Sequence, residues 1–430
     1  MPTFRPTDRA RNPYVDILTV PGAARFSAAG VIARLPMSMT GIGTVLMVQG
    51  LYDSYAMAGR VSAVLVVAQA IASPQLARLV DRAGQRRVML PLLVSTALGL
   101  AGLVVAAILR SPEWVLWALA ALAGASQGSY GSMVRARWSF AVADAKRLHT
   151  AYSLESALDE LVFIIGPVLA TILATSLTPS AGLVIALTAG GAGAAWFLSQ
   201  RATEPPVMKV AHPAASGDGR GTGAAPGRTT SAIRMPGMAV LAVVFVAMGV
   251  MFGASDVATV AFAEEEGAKG SAGLVLACFA LGSMLSGLGY GARHWVSPLS
   301  RRFVIGSCAM AVGVTLFFFV DSLPALAGVM FLTGFSIAPT LINGNALVQA
   351  LVAPNQLTEG LAWVGTALGV GVSAGSWLAG ARIDAVDSHA GFFVVMVAGW
   401  LCAALAVVAL PVLRRRPERP VTVEAPTADG

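Results

Sequence analysis

Charge is scarce in this chain. Asp, Glu, Lys and Arg make up 12% of it, about half of the ~25% usual in soluble proteins. That leaves too little polar material to cover the surface of a soluble protein of 430 residues. Lysine is nearly missing, with Lys146, Lys209 and Lys269 set against a large majority of Arg. This bias fits a GC-rich bacterial genome. The four histidines, His149, His212, His294 and His389, fall in loops or at the ends of apolar runs. They show no metal-ligand spacing, so no metal site is expected. None lies beside a serine within an apolar run, so no Ser/His/Asp set can be assembled. No Gly-x-x-x-x-Gly-Lys-Ser/Thr loop occurs, which excludes a self-contained ATP-driven pump. Cys278, Cys308 and Cys402 all fall inside apolar runs and read as packing residues, without a disulfide framework. Neither an enzyme nor a bound cofactor is expected.

Long apolar stretches are what the chain has instead. Twelve can be drawn, at 23–48, 56–77, 88–109, 114–134, 151–176, 180–199, 236–260, 271–291, 303–321, 323–347, 358–381 and 389–411. Each approaches or exceeds the ~20 residues of helix needed to cross a hydrocarbon core. Of the 29 Lys and Arg, all but Arg34, Arg60, Arg110, Lys269 and Arg382 lie in the N-terminal arm, the even-numbered connections, the tail or, for Arg25, at the arm-side end of span one. Loops rich in Lys and Arg stay cytoplasmic, so a multi-pass cell-membrane protein with both termini cytoplasmic is expected. The net charge of +7 sits at the feet of spans, as in Arg86–Arg87, Arg301–Arg302 and Arg414–Arg415–Arg416. Contact with anionic headgroups accounts for that placement; nucleic acid does not. The first 22 residues are polar and Arg-rich, unlike a cleavable signal.

Residues 200–235 are polar and rich in Pro, Gly and Ser, a composition that cannot bury enough surface to fold alone. The expected organisation is a cytoplasmic arm (1–22), a six-helix bundle (23–199), a cytoplasmic linker (200–235), a second six-helix bundle (236–411) and a tail (412–430). The halves show faint repetition. Gly166-Pro167-Val168-Leu169-Ala170 aligns with Gly375-Ser376-Trp377-Leu378-Ala379 at an offset of 209, and Leu148-His149-Thr150 with Leu357-Thr358-Glu359 at the same offset. Pro36, Pro74, Pro91, Pro167 and Pro339 should kink their spans. Span eleven carries Gly365, Gly369, Gly371, Gly375 and Gly380, a pattern that permits close helix approach.

Between spans two and three lies Ala77-Arg78-Leu79-Val80-Asp81-Arg82-Ala83-Gly84-Gln85-Arg86-Arg87. It resembles the loop signature of the major facilitator superfamily, with Asp81, Arg82, Gly84, Arg86 and Arg87 matching and Ala77 and Gln85 departing. The resemblance implies an all-α membrane protein of twelve helices in two pseudo-symmetric bundles. It also implies a secondary transporter that works by alternating access on a small-molecule substrate, acting here as a monomer. Gly84 would make the turn. Asp81 would face the positive N-terminal end of span eleven, a gate that in the family helps hold the outward-facing state. The matching loop of the second half lacks the Asp, so the lock should depend mostly on the first half. In span five Gly166-Pro167 matches part of the drug/proton antiporter pattern, while Val162, Ala170 and Thr171 depart from it. In span four Gln127-Gly128 matches a proton-coupled motif whose arginine is replaced by Gly124.

Charges inside the spans bear most directly on mechanism. A charge near the bilayer centre costs roughly 2.5–3.5 kcal/mol and tends to face a partner or an aqueous cavity. Arg34 in span one and Asp159 and Glu160 in span five lie at similar depth, ~12–16 Å from the cytoplasmic ends. Glu155 shares a helix face with Asp159. One arginine cannot neutralise three carboxylates, so at least one of Glu155, Asp159 and Glu160 is expected to carry a proton whose exchange drives transport. A static ion pair between spans one and five is the alternative. Spans one, four, seven and ten line the cavity in this superfamily, which makes Gln127, Asn343, Asn345 and Asp256 the substrate-facing candidates. Proton-coupled efflux of an organic small molecule is the first expectation, driven by the proton gradient. Proton-coupled uptake of a sugar or other nutrient is the second, and a non-transporting membrane receptor or enzyme a distant third.

Overall fold

The computed structural model describes residues 12–207, 231–268, 271–293 and 295–414. Most of the arm, the middle of the linker, Lys269, His294, and the end of the tail with Arg415 and Arg416 lie outside the described residues. Those described are helical almost throughout: α1 (Pro13–Leu18), α2 (Ala23–Tyr52), α3 (Tyr55–Ala83), α4 (Gln85–Ile108), α5 (Glu113–Ser126), α6 (Tyr130–Ala141), α7 (Ala145–Ser176), α8 (Ala181–Ser199), α9 (Pro236–Glu265), α10 (Ala272–Ala292), α11 (Leu299–Thr315), α12 (Leu323–Gly334), α13 (Ile337–Leu351), α14 (Leu357–Ala385) and α15 (Ser388–Arg414).

Local chemistry starts and stops these helices. Ser54 and Asp144 accept from the backbone N–H three residues on, of Met57 and Arg147, and so cap α3 and α7. Gly84 ends α3 and begins α4 at φ +94°, a dihedral that a side chain would strain. The apolar spans are therefore joined there by a single residue.

Eleven helical segments among the described residues are long and apolar enough to cross a bilayer. The twelfth span is the fourth, which is broken. α5 has 14 residues and α6 has 12, with Gln127, Gly128 and Ser129 extended between them. The chain is closely packed on both sides of the break. A Cβ at Gly124 would lie 2.1 Å from the carbonyl of Leu65, and one at Gly128 2.2 Å from Met89 Cε. Span ten is interrupted in a similar way, at Phe335–Ser336 between α12 and α13.

The repeat in sequence becomes a repeat in packing. Gly166 lets α7 approach α2, since its Cβ would fall 1.9 Å from Ser38 Oγ. Gly375, its counterpart, lets α14 approach α9, since its Cβ would fall 2.0 Å from the Val250 carbonyl. Gly371 faces Gly249 along the same seam, whereas Gly365, Gly369 and Gly380 have open space beside them. The span-eleven glycines thus divide into a packing pair and an unpacked set.

The chain therefore forms two bundles of six spans each, a twelve-span all-α membrane protein. The halves meet where α7 packs on α10 and α13, and where α14 packs on α3 and α6. Ala338 and Ile342 of α13 enter the buried cluster around Trp138 and Tyr152. This places the middle of α7 against the second half.

Candidate functional site

A cluster of four charged side chains lies inside the first bundle. Arg34 on α2 binds two carboxylates of α7 at once: its Nη1 is 2.5 Å from Asp159 Oδ1 and its Nη2 is 2.5 Å from Glu155 Oε2. A helical separation of four residues brings both acids onto one face, within reach of one guanidinium fork. Arg135 on α6 takes the other Asp159 oxygen, Nη2 to Oδ2 at 2.7 Å. The remaining Glu155 oxygen accepts from Ser27 Oγ at 2.6 Å and from Trp138 Nε1 at 2.8 Å. Arg34 Nε and Arg135 Nη1 donate to the carbonyls of Gly30 and Gly131. Gly131 itself lies between the two arginines, its Cβ position 3.4 Å from Arg135 Nη1 and 3.6 Å from Arg34 Cδ.

The expected charge imbalance is corrected by Arg135. Two arginines meet two carboxylates, and the group is neutral as a whole. Such balance is what allows Arg34 and Glu155 to be almost wholly buried, at 1% and 0% side-chain exposure. Removing one member of a buried pair costs about 3–5 kcal/mol because the other charge is stranded. Asp159 is the exception to this enclosure, with 22% of its side chain exposed. Trp138 is fully buried and donates to Glu155.

Glu160 does not join the cluster. It turns to the second half, where Ser283 Oγ of α10 donates to it at 2.7 Å. Of the four substrate-facing candidates, Gln127 lines a small cavity of about 40 Å³ enclosed by α2, α4, α8 and the break between α5 and α6, inside the first bundle. Asn343 is buried and donates to Tyr290 and to the Pro339 carbonyl, so it does not face a cavity between the halves. Asn345 is half-buried and Asp256 exposed.

A second constellation closes the halves on the Arg-rich side. Asp81 caps α14: its oxygens accept from the backbone N–H of Thr358 at 3.2 Å and of Glu359 at 2.8 Å. A carboxylate at a helix N-terminus meets both unpaired donors and the positive end of the dipole. Glu359 in turn accepts from Ser231 and from the Ala232 backbone, with Arg78 Nε 3.7 Å away. Arg86 donates its backbone N–H to Glu204 at 2.9 Å, beside Gly84. Arg82 and Arg87 are exposed. Gly166 and Pro167 lie within α7, which stays a continuous helix through the proline.

The pseudo-equivalent contact of the second half also exists, with different chemistry. Thr150 Oγ1 of α7 donates to the Gly291 carbonyl at 2.7 Å. Tyr14 donates to the Leu288 carbonyl, and burial pushes its hydroxyl up to about 12, so it remains a donor at working pH. His149 and Tyr290 stack edge to face, 5.1 Å apart. A backbone carbonyl stands where the second half lacks an aspartate. The closure is therefore held from both loops rather than mostly from the first. Gln349 adds a further bridge, to Ser139 at 2.8 Å.

Sequence reasoning missed Arg135, Trp138, Ser27, Thr150 and Tyr290. The first two stand past the drawn end of span four. The signal that could have found Arg135 is the need of the buried carboxylates for a second cation, which it supplies one residue past that end.

A twelve-span fold with two pseudo-symmetric bundles and a gate between spans two and eleven defines a class of membrane transporter. The profile of the Major Facilitator Superfamily matches residues 26–311 and 262–429, and the chain belongs to that family. Members of it are transporters rather than enzymes. No curated protein sequence matches the chain. Among solved structures, it resembles the human organic anion transporter MFSD10 (TETRAN), at 16% identity over 95% of this chain and 100% of that one, with a TM-score of 0.62. A bacterial homologue of the iron transporter ferroportin in an outward-facing state is similar at 12% identity, over 90% and 98% of the two chains, with a TM-score of 0.69. The E. coli fucose:proton symporter FucP is similar at 11%, over 94% and 100%, with a TM-score of 0.66. At such identities the likeness concerns the fold.

Proposed function

We propose that this protein couples transport of a small organic solute to protons through the Arg34–Glu155–Asp159–Arg135 cluster, by alternating access in a cell membrane with both termini cytoplasmic. The gates formed by Asp81 with α14 and by Thr150 with Gly291 support an outward-facing state, closed on the cytoplasmic side. The observation that carries the reading is that a charge-balanced, largely enclosed cluster is most exposed at Asp159. Rocking of the two bundles about a site at this depth gives each side access in turn.

Of the two coupling modes open from sequence, we take proton symport over efflux. The helix-five pattern that favoured efflux rests on Gly166, and close packing on Ser38 is reason enough for a glycine there. Asp159 already accepts from two arginines, so it is a poor free base for a cationic drug to compete for. Protonating it releases both arginines and so opens the site. Substrate and proton then load together. Comparing metabolites retained by cells with and without the gene identifies the solute. In proteoliposomes an imposed inward proton gradient should accumulate it saturably, and Asp159→Asn should abolish that accumulation. Expulsion of the solute by the same gradient would refute symport.

A further inference from the structure

Two observations at the cluster go unused by the ion pairs themselves. Arg135 Nε is enclosed with no hydrogen-bond partner, and so is the hydroxyl of Ser156, which is 5% exposed and three residues before Asp159 on α7. Enclosed donors without acceptors are rare and costly. Arg135 Nε belongs to a guanidinium whose Nη2 is held by the partly exposed Asp159 carboxylate. Asp159 accepts from Arg135 Nη2 and leaves Arg135 Nε and Ser156 Oγ unpaired.

We infer that the substrate is an organic anion whose carboxylate takes the place of the Asp159 carboxylate on Arg34 and Arg135. This inference rests on the proton-coupled reading above and names its substrate class.

The charges facing the site from every element packed around it set the rule. They are Arg34 from α2, Arg135 from α6, and Glu155 and Asp159 from α7; Glu160, the next residue on α7, is turned to the uncharged Ser283 of α10 and stays outside the balance. An anion arriving while Asp159 is ionised would place three negative groups on two arginines. A proton arriving alone would have to displace both guanidinium groups from Asp159. Each event is unfavourable without the other. Together they exchange one carboxylate for another: the proton goes to an Asp159 oxygen, the substrate carboxylate accepts from Arg34 and Arg135, and net charge is conserved. Arg135 Nε, otherwise unpaired, then gains an acceptor in the substrate carboxylate. Coupling of one proton to one monoanion follows from this balance.

The test uses the full-length protein in detergent with matched probes: lactate against lactamide and benzoate against benzamide. Thermal-shift titrations at pH 5 and pH 8 read binding. The carboxylates should bind and the amides should not, with affinity improving about tenfold for each pH unit lowered, since one proton is taken up per anion bound. Asp159→Asn should bind the carboxylates equally at both pH values. Should that variant fail to fold with its charge unbalanced, the double variant Asp159→Asn with Arg135→Gln restores neutrality and should bind carboxylates weakly with no pH dependence. Ser156→Ala keeps every charge, removes a buried hydroxyl that has no partner, and should weaken carboxylate binding severalfold without lowering the midpoint of the unliganded protein. Equal binding of amides and carboxylates overturns the inference, as does failure of both carboxylates to bind wild type and Asp159→Asn alike. In proteoliposomes, Asp159-dependent proton flux elicited by the amides overturns the anion and leaves proton coupling standing. Absence of Asp159-dependent proton flux with every probe defeats both readings.

Discussion

Asp81→Ala tests the gate most directly. Asp81 belongs to the first half and Thr358 and Glu359 to the second, so the two hydrogen bonds exist only while the halves are closed on the Arg-rich side. An N-cap carboxylate contributes ~0.5–2 kcal/mol through its hydrogen bonds, and its interaction with the helix dipole is worth about 0.3–1 kcal/mol. The Glu359 carboxylate nearby offsets part of this by repulsion. A net differential of about 2 kcal/mol shifts the closed-to-open ratio roughly 30-fold. A minor state of about 1% would then rise to about a fifth of the population. Asp81→Asn retains one acceptor and should shift the ratio less. The assay is a spin-label distance between Arg87→Cys and Arg301→Cys, in a background where Cys278, Cys308 and Cys402 are replaced by Ser. A longer-distance population should appear in Asp81→Ala and be smaller in Asp81→Asn. Identical distributions in all three proteins would refute the view that this cap holds the halves together.

Other expectations follow from packing and from the buried acid. Gly375→Val sets a side chain against the Val250 backbone carbonyl, which cannot rotate away; it should destabilise by at least the ~1–3 kcal/mol of ordinary overpacking, read as a lowered thermal midpoint. Gly365→Ala meets open space and should stabilise α14 by up to ~1 kcal/mol through helix propensity; a loss of stability there would show that this face is packed. Trp138→Phe keeps the ring but removes a donor to the buried Glu155, costing about 1.5–3 kcal/mol for a hydrogen bond to a charged group. An unchanged midpoint would mean that Ser27 and Arg34 satisfy Glu155 alone.

Much of the architecture is legible in order along the chain. The length of each apolar run and the side on which Arg gathers are local properties, and they mark the spans without knowledge of their neighbours. The Asp81–Gly84 loop is legible for the same reason, because its turn and its cap both act within a few residues of a helix end. Gly166 and Gly375 could be matched as repeats, but what each touches could not. Span four shows the limit of run length. Its composition reads as one helix, whereas the structure breaks it over residues 127–129, beside the closely packed Gly124 and Gly128.

The charge cluster divides in the same way. That Arg34, Glu155 and Asp159 must find partners follows from the cost of an isolated charge in hydrocarbon, which is a property of the sequence. Which partners they find does not. Arg135 stands 24 residues from Asp159 along the chain and Trp138 stands 17 from Glu155, and nothing in their spacing says that α6 will lay them beside α7. Sequence by itself determined the number of spans and the presence of buried acids, because these are set by transfer between water and lipid one segment at a time. Tertiary structure alone decided that the acids are matched charge for charge, that Glu160 faces the other half, and that Asp159 is the one left open. Those outcomes depend on distances between helices, over which hydrogen bonds and ion pairs act within a few ångströms and have no fixed counterpart in chain separation.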